Sequence, residues 1–238
     1  YYFYEKLFYS AEYITGCSKY LLDEFQKICP QIESGKYFTI HNGVGELYLA
    51  QNVTENKINH IFTAARFVPK KGFELLIEAF QKKTDGVLLI AGGNKKELEK
   101  LGLEIKNGIS LLGKLSPAEM ATQLAESKMT IAPSIIEPYG IIVAEAICCG
   151  SPVVATNVGG IPEVIALAKK NLNSIEQGVF DDWVKLVDPE VAAIRAGIDI
   201  LLKNYNGLEE YIKLVPKVRK QFSWSKRLNQ YHNLLAES

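Results

Sequence analysis

Short apolar runs alternate with amphipathic stretches along most of the chain. Runs of three to six mainly apolar residues of this kind are typical of strands buried on both faces of a parallel sheet. They occur at 60–65, 87–91, 109–112, 129–132 and 153–155. Helical patterns lie between or after them, at 73–82, 95–101, 117–126 and 141–149. The alternation predicts an α/β fold with a doubly wound parallel sheet covered by helices on both faces.

The two ends of the chain depart from this alternation. The first 45 residues predict only two strands, at 13–16 and 37–41, and two helices, one of which Ser18 caps. We interpret 1–45 as the remnant of another domain, because so few elements cannot bury a sheet on both faces. The polar stretch 46–59 is interpreted as a linker, 166–185 gives no clear prediction for the sheet edge, and the tail from Pro189 onward predicts helix.

Two carboxylates stand out, Glu137 and Glu145, with seven residues between them. Glu137 follows the predicted strand 129–132, and Glu145 lies in the apolar helix after it. Open α/β sheets bind ligands at the carboxyl ends of their strands. Gly140 permits close backbone approach, and a helix N-terminus offers N–H groups to an anion. A sugar nucleotide has both phosphates and hydroxyls and therefore fits this pattern. The alternative is that Glu137 is a loop charge and Glu145 an exposed helix position. That alternative is less favoured, because Glu145 has apolar neighbours.

Composition narrows the class of partner and the cellular setting. Lys+Arg and Asp+Glu both number 27, so the formal charge is zero. This balance argues against nucleic acid as the main partner. There is no signal-peptide pattern, no apolar run long enough to span a bilayer, and no metal-ligand spacing among the four cysteines. We therefore expect a cytoplasmic location, with Cys148 and Cys149 as core residues.

Several motifs follow one another in a characteristic order. Arg66 and Lys71 stand in Ala64-Ala-Arg-Phe-Val-Pro-Lys-Lys-Gly72, and Ala91-Gly-Gly and Leu112-Gly-Lys-Leu-Ser116 come next. The Glu137/Glu145 segment and Cys149-Gly-Ser-Pro-Val-Val-Ala-Thr-Asn-Val-Gly-Gly-Ile-Pro-Glu163 complete the series. Together they resemble the C-terminal half of the retaining GT-B glycosyltransferases of family 4, the glycogen-synthase-like group. This resemblance implies a Rossmann-like donor-binding domain at 60–220 and a C-terminal crossover helix at 221–238.

The resemblance also implies roles for individual residues. Arg66 and Lys71 would hold the donor diphosphate, Glu145 the ribose and Glu137 the transferred sugar. Further donor contacts would come from residues of three loops: Tyr139, Gly140 and Ile141, Lys114 and Leu115, and Asn94. Taken alone, Arg66 and Lys71 also fit a solvated loop, and Asn94 and Leu115 fit an ordinary turn and core. Ser134 could bond phosphate or merely end a strand, and we favour the strand end. Glu163 is interpreted as a first-turn carboxylate that satisfies backbone donors.

The activity implied is sugar transfer from a nucleoside-diphosphate sugar to a glycan or lipid-linked acceptor, with retention of configuration. No Asp-x-Asp motif occurs, which agrees with transfer without a metal cofactor. We expect the chain to be inactive without the missing N-terminal domain or a partner chain. A non-catalytic nucleotide-sugar-binding subunit stays open as an alternative, and a GT-B-type epimerase is less favoured. Basic residues at 217–227 could contact an anionic membrane at its inner face or simply form a solvated helix face.

Overall fold

A computed structural model describes residues 8–81, 86–105, 108–203 and 205–236. Its main body is a six-stranded sheet in which every neighbouring pair of strands is parallel. Along the chain the strands are β3 (Ile58–Ala64), β4 (Val87–Ala91), β5 (Ile109–Gly113), β6 (Ser127–Ala132), β7 (Val153–Thr156) and β8 (Val184–Val187). The α/β prediction is confirmed.

Helices connect these strands and continue to the end of the described chain. Ser116 caps one of them with Pro117 at its first position, as the sequence predicts, and Glu119 completes a capping box. From Glu46 onward the helices are α2 (Glu46–Leu49), α3 (Phe73–Gln81), α4 (Lys95–Glu99), α5 (Pro117–Glu126), α6 (Ile141–Cys148), α7 (Ile161–Lys169), α8 (Ser174–Trp183), α9 (Val191–Lys203), α10 (Leu208–Phe222) and α11 (Trp224–Ala236).

The order of strands in the sheet creates a switch point. Across the sheet the order is β5–β4–β3–β6–β7–β8, so the chain builds outward from β3 and then returns to its other side. The loops after β3 and β6 therefore leave from adjacent strands and diverge to opposite faces. A crevice at such a point is where open α/β sheets bind ligands. Arg66 and Lys71 follow β3, and Glu137 follows β6.

A smaller unit precedes the large sheet. It contains β1 (Ile14–Gly16) and β2 (Tyr37–Thr39), which pair in parallel, and helix α1 (Lys19–Ile28). Ser18 caps α1 as predicted, accepting from the Leu21 N–H. Its buried residues form a separate cluster: Ile14, Leu22, Cys29 and Ile32. The first seven residues of the predicted 1–45 segment, and the last two of 221–238, lie outside the described residues.

The structure corrects one local interpretation of the sequence and defines one stretch for which the sequence makes no clear prediction. The predicted linker 46–59 contains α2, whose Tyr48 is only 9% exposed and packs into the main core, and β3 already begins at Ile58. The undefined stretch 166–185 contains α8, which Asn173 caps, and the start of β8. Strand β8 pairs with β7 and defines the sheet edge. Both elements are short or polar, and only packing against the core selects their conformation.

The cysteines behave as predicted. Cys148 and Cys149 are fully buried in the main core as free thiols. Burial raises the pKa of the Cys149 thiol to about 12, so it stays protonated. None of the described helices combines the length and the apolarity that crossing a membrane requires.

Candidate functional site

A cavity of about 180 Å³ opens at the switch point, between the loops that follow β3 and β6. Its polar lining consists of Thr63, Arg66, Lys71, Ser134 and Glu137. The first turn of α6 closes one side with Ile141 and Ile142. Three of the predicted site residues from separate parts of the sequence, Arg66, Lys71 and Glu137, therefore meet in one crevice.

An ion pair lies at the centre of this donor cavity, as we call it from here on. Lys71 Nζ is 2.5 Å from Glu137 Oε2, and their side chains are only 17% and 11% exposed. Ser134 donates its hydroxyl hydrogen to the same carboxylate oxygen at 3.1 Å. Arg66 is exposed at the mouth and has no acidic partner among the described residues. The cavity thus holds one neutralised cation and one cation open to a ligand.

Backbone contacts hold the two loops against each other. The Lys70 carbonyl accepts hydrogen bonds from the N–H groups of Ile135 at 2.8 Å and Ile136 at 3.2 Å. Gly72 has a φ of +66°, and a Cβ there would lie 1.9 Å from the Pro133 carbonyl oxygen. Only glycine permits this approach without strain. The close contact brings Lys71 to Glu137.

The start of α6 adds an anion-binding feature beside the ion pair. Gly140 precedes the helix with a φ of +97°, and a Cβ there would lie 2.9 Å from Cγ1 of Ile161. The N–H groups of a helix's first turn have no acceptor inside the helix. Ile141 and Ile142, the first two residues of α6, line the donor cavity together with Arg66 and Lys71. Loop, helix N-terminus and cations together suit a diphosphate.

Glu145 lies one turn further along α6 and does not line the cavity as it stands. Burial raises the pKa of its carboxyl group to about 7, while a hydrogen bond from the Tyr48 hydroxyl opposes that rise. Sequence reasoning missed Tyr48, because it stands in the stretch interpreted as a linker. Of the two interpretations of Ser134, neither includes its hydrogen bond to Glu137, although its position three residues before Glu137 is a usable signal.

The other predicted donor contacts lie outside the cavity lining. Tyr139 is 3% exposed and donates its hydroxyl hydrogen to the Asn42 carbonyl at 3.0 Å, and burial raises its pKa. Asn94 caps α4 in a capping box with Glu97. Leu115 packs against the main core, and Lys114 is exposed.

Glu163 caps a helix other than its own. Its carboxylate oxygens accept the N–H groups of Lys19 and Tyr20 at the start of α1, both at 2.8 Å. His41 Nε2 is 3.2 Å from the same carboxylate. Ser18 donates to the Pro138 carbonyl at 2.5 Å. These hydrogen bonds attach the small N-terminal unit to Glu163 and to Pro138, the residue that follows Glu137.

The described residues contain no group of three or more His, Cys, Asp or Glu side chains that could hold a metal ion. The chemistry available in the donor cavity is that of two cations, a carboxylate, two hydroxyls and the backbone. These groups can neutralise phosphate and accept hydrogen bonds from hydroxyls.

Comparison with known proteins places this geometry in a family. The family model "Glycosyl transferases group 1" matches residues 46–221. An uncharacterised glycosyltransferase of Methanocaldococcus jannaschii is 30% identical over 238 aligned positions, covering 91% of this chain and 57% of that protein. The chain thus spans little more than half of that relative.

Solved structures show the same fold. The sucrose-phosphate synthase of Thermosynechococcus elongatus superposes with a TM-score of 0.76 at 21% identity, covering 99% of this chain and 61% of the other. The Anabaena protein HepE, solved in complex with UDP and glucose, superposes with a TM-score of 0.69 at 19% identity, covering 96% and 64%. With the family match spanning most of the chain, this protein belongs to the group 1 glycosyl transferases, with a GT-B-type fold.

Proposed function

We propose that the donor cavity binds the diphosphate and sugar of a nucleoside-diphosphate sugar, as the donor site of a retaining, family 4 type glycosyltransferase. The observation that carries this proposal is the convergence of Lys71, Glu137 and Arg66 at the switch point. Two cations and a helix N-terminus meet a hydrogen-bonded carboxylate within one crevice.

The cations of the donor cavity would stabilise the leaving group, the nucleoside diphosphate. When the bond between sugar and diphosphate breaks, negative charge develops on the departing diphosphate. Arg66 at the mouth, Lys71 inside and the N–H groups at the start of α6 are positioned to stabilise that charge. Such preorganised groups act without a metal cofactor, and this proposal includes none.

The two carboxylates would accept hydrogen bonds from the hydroxyl groups of the donor. Glu137 would accept hydrogen bonds from the transferred sugar while Lys71 turns toward phosphate, and we assign it no role as a nucleophile. Glu145, one turn along α6, would accept the ribose hydroxyls, with Tyr48 orienting it. The acceptor, a glycan or a lipid-linked sugar, would be bound by a further N-terminal domain or a partner chain.

Calorimetric titration tests the proposal directly. The full chain is titrated with UDP, GDP and ADP and with their sugar conjugates, in wild type and in Arg66→Ala. Lys70→Ala is the matched control, because Lys70 is an exposed cation of the same loop that does not line the cavity. We expect one diphosphate to bind selectively and Arg66→Ala to weaken it by about tenfold or more, the loss of a hydrogen bond to a charged group.

Two outcomes would contradict the proposal. Equal affinities in Arg66→Ala and Lys70→Ala would place the nucleotide elsewhere. The second outcome concerns Glu137. If wild type and Glu137→Gln each bind a bare diphosphate and its sugar conjugate with equal affinity, Glu137 makes no contact with the sugar.

A further inference from the structure

A second and larger cavity lies away from the donor cavity, where the end of β2, helix α7 and helix α11 meet. Its volume is about 440 Å³. The charged and polar side chains that line it come from three separate segments of the chain: Thr39 and His41, Glu163 and Lys170, and Lys226, Arg227 and Gln230. We call it the basic cavity.

Positive charge in the basic cavity exceeds negative charge. Lys170, Lys226 and Arg227 are cations, and Glu163 is the one carboxylate among its lining residues. That carboxylate is already engaged by the N-terminus of α1 and by His41. Burial, and then the charges of Arg227 and Lys170, lower the pKa of Lys226. Lys226 is therefore close enough to Arg227 and to Lys170 to be repelled by both.

The clearest indication of a missing anion is the environment of the Arg227 guanidinium. Its side chain is 2% exposed, and its Nε–H has no hydrogen-bond partner. The other guanidinium nitrogens donate to neutral groups, Nη1 to Gln230 at 2.8 Å and Nη2 to the Gln221 carbonyl. No carboxylate among the described residues forms an ion pair with it. A buried charge without a counter-ion is costly, and buried cations are ordinarily paired.

We propose that the basic cavity is a binding site for the phosphate monoester of a small polyhydroxylated molecule, such as a sugar phosphate. A phosphate dianion would offset the excess of two positive charges. The cavity has the size of a small-molecule site, and the Thr39 hydroxyl and the Gln230 amide can bond the hydroxyls of the ligand. This site is additional to the proposed donor site and shares no lining residue with it.

A ligand here would join parts of the molecule that have separate cores. Thr39 and His41 belong to the N-terminal unit and its connection, whereas Lys170 and Lys226 belong to the main body. Binding would strengthen the junction that Glu163 already makes. Binding of a phosphorylated metabolite at this site would therefore influence the relative position of the N-terminal unit and the main body.

The test is a titration of the full chain with glucose 6-phosphate, inorganic phosphate and glucose. A second arm uses vesicles of phosphatidylcholine containing phosphatidic acid, which present the same phosphate monoester on a lipid. The variants are Lys170→Ala and Lys226→Ala, both exposed enough to be tolerated. Lys220→Ala is the matched control, an exposed cation on α10 outside the cavity, and Arg66→Ala reports on the donor cavity.

We expect glucose 6-phosphate to bind more tightly than phosphate, and glucose not to bind. Lys170→Ala and Lys226→Ala should each weaken binding by about tenfold, as loss of a charged hydrogen-bond donor does. Lys220→Ala and Arg66→Ala should bind as wild type. The proposal is overturned if neither phosphate compound binds, if Arg66→Ala abolishes binding, or if only the vesicles bind.

Discussion

The two cavities hold opposite electrostatic arrangements. In the donor cavity Lys71 is paired with Glu137 at 2.5 Å, and a hydroxyl completes the carboxylate's bonds. In the basic cavity three cations face one carboxylate that is already engaged. In the first, Lys71 is already paired, so that a ligand must exchange partners with an existing ion pair, while Arg66 is open to it. The second lacks an anion, so that its own stability should depend on what binds there.

Removing the paired cation should have the largest effect. Lys71→Ala leaves Glu137 without its counter-ion, at a cost of about 1–3 kcal/mol in the free energy of unfolding. It also removes a group that, under the proposed function, would stabilise the leaving diphosphate, so sugar transfer should fall about 10²- to 10³-fold. Urea unfolding and a transfer assay measure the two effects. Unchanged stability and turnover, equal to those of Lys70→Ala, would show that the ion pair has no role.

Glu145 provides a second contrast, because it is a half-buried carboxylate that forms no ion pair with any of the described cations. Its folded pKa of about 7 exceeds the ordinary 4.5, so the folded state retains a proton that the unfolded state releases between these values. Its contribution to stability therefore falls as pH rises from 4.5 to 7, by at most about 1.4 kcal/mol per pH unit, and then levels off.

Glu145→Gln should remove this pH dependence. Urea unfolding of wild type and variant at pH 5, 6, 7 and 8 measures it, and the variant should gain stability relative to wild type across that range. Parallel profiles would mean that Glu145 ionises normally. The same variant should weaken nucleotide binding, since a neutral amide replaces an acceptor for the ribose hydroxyls.

Glu163→Gln should destabilise the N-terminal unit without affecting the donor cavity. A glutamine has one carbonyl oxygen, so it can replace only one of the two hydrogen bonds that Glu163 accepts from α1. Helix α1 should lose about 1–2 kcal/mol of local stability, the range found for lost caps. Amide hydrogen exchange should quicken across Lys19–Ile28, while nucleotide affinity stays unchanged. Equal loss of protection in α3 would contradict this local role.

The smallest effect should come from removing one unbalanced cation. Lys170→Gln relieves repulsion with Lys226 and Arg227, so it should stabilise the ligand-free protein by a few tenths of a kcal/mol at low salt. The gain should disappear at about 1 M salt, where the Debye length falls to about 3 Å. Destabilisation by Lys170→Gln would show that Lys170 has a counter-ion, unlike the arrangement proposed for the basic cavity.

Local pattern was sufficient for the elements that build the donor cavity. Apolar runs located the strands, Ser18 and Ser116 located helix starts, and Arg66, Lys71 and Glu137 followed strands that proved adjacent. Adjacency could be anticipated because parallel strands present their carboxyl ends to one edge of a sheet. Asn94 and Tyr139 were assigned to the donor by resemblance, and whether they reach it stays a prediction. In the structure without ligand they make a capping box and a hydrogen bond to a carbonyl.

Contacts between distant segments could not be anticipated in the same way. Glu163 caps a helix that starts 144 residues earlier in the chain. Tyr48 reaches Glu145 from a helix of four residues that has no strong pattern of its own. The basic cavity combines residues near 40, 165 and 227. No local period relates such positions, because their proximity depends on how α7, α10 and α11 fold back.

The sequence by itself determined the fold class, the starts of the helices that Ser18 and Ser116 cap and the identity of the chemical groups at the strand ends, because these follow from periodicities and caps within a few residues. The tertiary structure alone decided which charges are paired. Lys71 finds a carboxylate since Gly72 lets two loops touch, and Arg227 finds none since α11 buries it among amides and carbonyls. Ionic pairing depends on distances of a few ångströms, and only packing sets those.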